Sequence, residues 1–185
     1  MHQLLPAERD LLLDLARGTV TATATGLARP APDQAALTPG LLAPGAAFVT
    51  LHENGELRGC IGMLAYDRPL WVNVRDSAAA AARDDPRFMP VEAGELGQID
   101  IEISVLEPPR RIADASEFVA GRHGIIVERG GCRGLLLPQV ATEMGWGEAE
   151  MLTAVCRKAG LPPDAWRDPA SRLYVFESFC FGAPE

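Results

Sequence analysis

HENGELRGCIG, residues 52–62, decides the reading of this chain. Asn54-Gly55 marks a two-residue turn, because both central positions of a tight hairpin need positive φ and these residue types tolerate it. The apolar run AAFVTL (46–51) before it and LRGCIG (57–62) after it then form two antiparallel strands. With that turn, Glu53 pairs with Glu56, His52 with Leu57, and Cys60 faces Val49. Strand alternation sends Leu57, Gly59 and Ile61 one way and Arg58, Cys60 and Gly62 the other. Arg58 and Cys60 then share a face about 7 Å apart, where a guanidinium favours thiolate over thiol. The flanking Gly59 and Gly62 leave room for a ligand or a second backbone.

Outward from the hairpin, a helix is expected over residues 6 to about 28. Pro6 suits its first turn, and Leu11, Leu12 and Leu15 recur at helical spacing. Residues 29–45, rich in Pro and Ala, read as a variable excursion. A second helix follows the hairpin, capped by Asp67 with Pro69 in its first turn, and ends near Asp84 or Asp85 because Pro86 disfavours helix before it. QIDIEISVLE (98–107) alternates as a half-buried strand, with Ile99, Ile101, Ile103 and Val105 against Gln98, Asp100, Glu102 and Ser104. GIIVERGGCRGLLLP reads as a second hairpin, residues 148–159 as a helix stopped by Gly160, and RLYVFESFCF as one C-terminal strand. Strands and helices mix without regular alternation, which argues α+β.

The second hairpin echoes the first: VERGGCRGLLL from Val127 aligns with HENGELRGCIG at one constant spacing, matching Arg58-Gly59 to Arg133-Gly134. Cys60 and Gly62 have Leu135 and Leu137 as counterparts, so turn and strand geometry do not account for them.

The 185 residues suit one domain, and 48% hydrophobic with 23% charged residues is ordinary for a globule with a sizeable core. Net charge is −8 with no basic run, which argues against a nucleic-acid-binding face. No stretch approaches the ~18 apolar residues of a membrane span, and the N-terminus lacks a signal peptide's apolar core. The expectation is a cytoplasmic protein whose four cysteines are reduced. No CxxC or CxxH pair supports a metal site. No phosphate-loop, dinucleotide, GxSxG or HExxH pattern occurs, so no cofactor is called for.

LRGCIG, DDPRF (84–88), IEISVLEPP (101–109), LLLPQVATEMGW (135–146) and LYVFE (173–177), in that order, resemble the AMMECR domain family, whose bacterial and archaeal members are called AmmeMemoRadiSam system protein A. The resemblance spans roughly residues 7–182 of a single domain, 1–185. It implies an α+β fold, mostly antiparallel sheet flanked by helices, in two closely packed lobes. It also implies association with a Memo-like protein and a radical SAM protein, and LRGCIG as the candidate site.

Each site residue carries two readings. Cys60 is a nucleophile or redox thiol, or a small packed residue. His52 is its base across the hairpin, or a polar loop residue; Glu102 is a general acid or base, or part of a solvated strand face. Arg58 and Arg87 hold an anionic group of a small-molecule or peptide substrate, or satisfy local carbonyls and carboxylates. For Arg133 the default is a cross-hairpin ion pair. The whole chain is an enzyme or substrate-binding component, or a non-catalytic interaction module whose glycines admit a partner's backbone.

Overall fold

The computed structural model describes residues 4–64 and 66–182. The chain forms two compact units, one from residues up to Leu106 plus the segment from Phe179, the other Glu107–Ser178. Each holds its own four-stranded antiparallel sheet, so the architecture is α+β.

The first unit opens with α1 (Pro6–Thr25), which stops at Gly26 in the left-handed region, earlier than residue 28. The excursion holds a 3-10 turn, Gln34–Ala36, and a short helix, α2 (Pro39–Leu42). The buried Glu8 carboxylate ties this excursion to α1, accepting hydrogen bonds from the Leu5 N–H and the Thr38 hydroxyl. Strands β1 (Ala46–Glu53) and β2 (Glu56–Met63) form the expected hairpin, with Asn54 and Gly55 both at positive φ. Helix α3 (Leu70–Arg83) follows. Pro69 stands just outside it as the N-cap, and Asp67 does not cap it. Strand β3 (Ile99–Leu106) pairs with β1, and β8 (Ser178–Phe181) completes the order β2-β1-β3-β8.

The helices cover one face of this sheet. Val49, Leu51, Ile99, Ile101 and Ile103 pack there against Leu12, Ala16 and Val20 of α1 and Val74, Ala78 and Ala81 of α3. Burying each large aliphatic side chain contributes about 1.5–3 kcal/mol, which fixes which face of each strand points inward.

The second unit contains β4 (Arg110–Ile112), β5 (Gly124–Arg129), β6 (Cys132–Leu136), α4 (Gln139–Met144), α5 (Glu148–Lys158) and β7 (Arg172–Phe176). Its sheet order is β4-β7-β5-β6. Ile125, Val127, Leu173 and Val175 form its core with Met151, Leu152, Val155 and Cys156 of α5. Trp146 and Trp166 pack against this core, as Trp71 does against the first.

The C-terminal run RLYVFESFCF is two strands, not one. Arg172–Phe176 lies in the second sheet and Ser178–Phe181 in the first, with Glu177 between them. Uninterrupted β-propensity carries no mark of a change of sheet, which only the available edges decide.

Candidate functional site

The hairpin register departs from the simple two-residue-turn ladder. Glu53 pairs with Glu56 and His52 with Leu57, but the next pair is Leu51 with Gly59. Arg58 is the extra residue of a β-bulge. The slip moves Cys60 opposite Thr50 rather than Val49; Leu57 keeps its expected place opposite His52, where it is 40% exposed.

Beyond the bulge, the odd residues of β2 face the helices. A Cβ on Gly59 would stand 2.4 Å from the Ala81 carbonyl oxygen of α3. The room left by this glycine is therefore taken by the chain's own helix. Gly62 lies under a cross-strand aromatic ring, with a built Cβ 2.2 Å from Phe48. Both glycines thus have packing reasons within the first unit, and the idea that they admit a partner's backbone loses its basis.

The even residues line the other face. Thr50 pairs with Cys60 on one side and with Glu102 on the other, so Cys60, Thr50 and Glu102 form a row across three strands. Directly opposed side chains in such a row stand about 4.5–5.5 Å apart at Cβ. The Thr50 hydroxyl donates to Cys60 Sγ at 3.3 Å. In the next row, Phe48 is flanked by Gly62 and Ser104, and Ser104 Oγ meets Cys180 Sγ at 3.2 Å. Ser104 is only 1% exposed, so the polar half of the QIDIEISVLE alternation is not a simple solvated face.

The electrostatics differ from the sequence expectation. Arg58 is not the cation that acts on Cys60. Its Nε and Nη2 hold Glu95 at 2.8 and 3.1 Å, and its Nη1 and Nη2 donate to the Met89 and Pro90 carbonyls. That pairing keeps the Glu95 carboxyl below its usual range. Burial pushes the Cys60 thiol up; the Thr50 hydrogen bond and Arg87 oppose this, while Asp85 and Glu102 reinforce it. Cys60 is a half-buried, protonated thiol at neutral pH.

Arg87 is engaged as well, by Asp85: Nε–Oδ1 3.0 Å and Nη2–Oδ2 2.7 Å. Asp85 also accepts the Cys60 N–H at 2.9 Å, and its carboxyl falls to about 2, chiefly through the Arg87 hydrogen bond. Sequence reasoning singled out Arg87 and passed over Asp85. The available signal was the Asp-Pro-Arg run at a helix exit, where a carboxylate can reach back to free N–H groups.

His52 sits two residues along β1 from Thr50, and its buried Nδ1 has no hydrogen-bond partner among the described residues. His123, the other internal histidine, belongs to the second unit, where its Nδ1 accepts the Val119 N–H. The structure therefore brings Cys60, Thr50 and Glu102 into one row, with Asp85 and Arg87 on the Cys60 backbone. Arg58 is drawn off to Glu95.

Comparison with known proteins places the chain in a family. The AMMECR1 family profile matches residues 13–181. A protein of Methanothermobacter thermautotrophicus is 50% identical over 72% of this chain and 73% of its own. One of Methanopyrus kandleri is 48% identical over 75% of this chain and 71% of its own. The crystal structure of an uncharacterised protein from Pyrococcus horikoshii superposes with a TM-score of 0.85 at 39% identity, covering 92% of this chain and 88% of that one.

Proposed function

The chain belongs to the AMMECR1 family, and from that footing we propose that it is a cytoplasmic ligand-binding component centred on Cys60 that acts with a Memo-like protein and a radical SAM protein. The observation that carries the reading is the Cys60–Thr50–Glu102 row, which gathers a thiol, a hydroxyl and a carboxylate on the sheet face away from the helices. A binding surface needs such a small set of fixed polar groups on rigid strands. No described helix is long and apolar enough to cross a membrane.

The sulfur of a protonated thiol reacts only after losing its proton. Glu102 lies on the same face beyond Thr50, so it would take the proton through the Thr50 hydroxyl that stands between them. A ligand carbonyl carbon would then gain the bond to Sγ, the π pair of its C=O moving onto the oxygen, while the thiol proton passes to Glu102. Arg87 supplies positive charge at this edge.

The test uses the intact chain with its two proposed partners. Iodoacetamide labelling of Cys60 at pH 7.5, read by peptide mass spectrometry, should be slower than that of exposed Cys132. It should slow further when both partners and a metabolite extract are added. Unchanged labelling, together with full activity of Cys60→Ser in cells, would overturn the reading.

A further inference from the structure

Strand β2 is an outer strand of its sheet. In an antiparallel pair, every second residue turns its N–H and C=O away from its neighbour, and on an outer strand these groups have no ladder partner. Cys60 is such a residue. Its N–H donates to Asp85 Oδ2 at 2.9 Å, and its carbonyl accepts from Arg87 Nη2 at 3.5 Å. The two side chains are locked to each other by two further hydrogen bonds, and Asp85 Oδ1 also accepts the Arg87 N–H at 3.1 Å. The Asp85 side chain is 2% exposed while that of Arg87 is 53% exposed, so a buried anchor carries an open guanidinium.

We propose that Asp85 and Arg87 are positioning residues for Cys60: as one ion pair they replace the missing neighbour strand at this single residue and fix the place from which its thiol is presented. The proposal rests on the Cys60 reading but needs no ligand for its test. A purely structural brace would satisfy any edge residue equally. This one closes both backbone groups of the one cysteine in LRGCIG. It also brings a cation and an anion whose charges act on the thiol, as does that of Glu102 beyond Thr50, whose hydroxyl donates to the sulfur.

Two readouts on the isolated chain test it. The first is amide hydrogen exchange at Cys60. Asp85→Ala should speed it tenfold or more relative to neighbouring amides, and Asp85→Asn, whose side-chain oxygen still accepts, should restore most of the protection. The second is the pH midpoint of Cys60 alkylation. Arg87→Ala should raise it and Asp85→Asn should lower it, each changing the rate at pH 7.5 threefold or more. Arg87→Lys should retain part of the effect. Arg87 is exposed enough that its variants fold even where those of Asp85 do not. An unmoved midpoint in Arg87→Ala, or unchanged exchange at Cys60 in folded Asp85→Ala, overturns the proposal. Either result leaves the ligand-binding reading standing, whereas full activity of Cys60→Ser strikes that reading and not the positioning pair.

Discussion

The two hairpins of this molecule are built alike and differ where it matters. Each turns on two residues at positive φ, Asn54-Gly55 in one and Gly130-Gly131 in the other. Each then reaches an Arg-Gly pair whose glycine lies against a helix: Gly59 under Ala81 of α3, Gly134 under Val155 of α5 and Ala159 just past its end. The sequence echo is thus a repeated packing device. Its alignment needs one amendment. Val127 pairs with Gly134 as Leu51 pairs with Gly59, so the leading strands correspond one position away from the constant spacing. The bulge at Arg58 absorbs that residue, and the second hairpin runs without one. In consequence Arg133 sits opposite Glu128 and pairs with it at 3.2 Å, while Arg58 leaves the ladder for Glu95. An extra residue in one strand thus redirected the arginine.

The comparison breaks most readily at the glycines. Gly59→Ala should destabilise the protein by about 3 kcal/mol, because the obstacle is a main-chain carbonyl that cannot swing away. Gly134→Ala, with its nearest contact at 2.7 Å, should cost about 2 kcal/mol. Urea melts of both variants check this, and if either is tolerated the shared packing device does not hold.

The arginines sharpen the contrast. Arg58 is 13% exposed and satisfies Glu95 with two carbonyls, so Arg58→Ala should cost about 2 kcal/mol. Arg133 is 48% exposed on an ordinary cross-strand pair, and its alanine variant should cost at most about 0.5 kcal/mol. Equal losses in thermal melts would show that the bulge changed nothing.

A further effect concerns acid stability. The Asp85 carboxyl is depressed from 3.8 to about 2 in the folded chain, below its unfolded value. Its contribution is therefore complete above about pH 4 and is lost as pH falls through 2, amounting to about 1 kcal/mol by pH 3. Asp85→Asn should flatten the stability profile in that window. A profile as steep as that of the unaltered chain would show that this carboxylate is not the one titrating.

Much of this was open to reading. Asn54-Gly55, the Leu11, Leu12 and Leu15 spacing of α1, and the isoleucines of β3 depend on turn chemistry and periodicity, which neighbouring residues set. The bulge was not legible, because either strand register satisfies the residues around the turn and the choice falls to what Arg58 and Gly59 meet across the fold. Glu95 lies 37 positions from Arg58 and Asp85 lies 25 from Cys60, with no periodic signal joining them. Gly62 seemed unexplained for the same reason, since Phe48 reaches it only once the strands are in register.

The sequence by itself determined the kinds and order of the elements, the first turn and the family, because local backbone preference and residue identity are written along the chain. Tertiary structure alone decided the state of the Cys60 thiol. Its proton is held by burial and by charges that arrive through space from β3 and from the segment after α3, and the nearest arginine in sequence has no share in it.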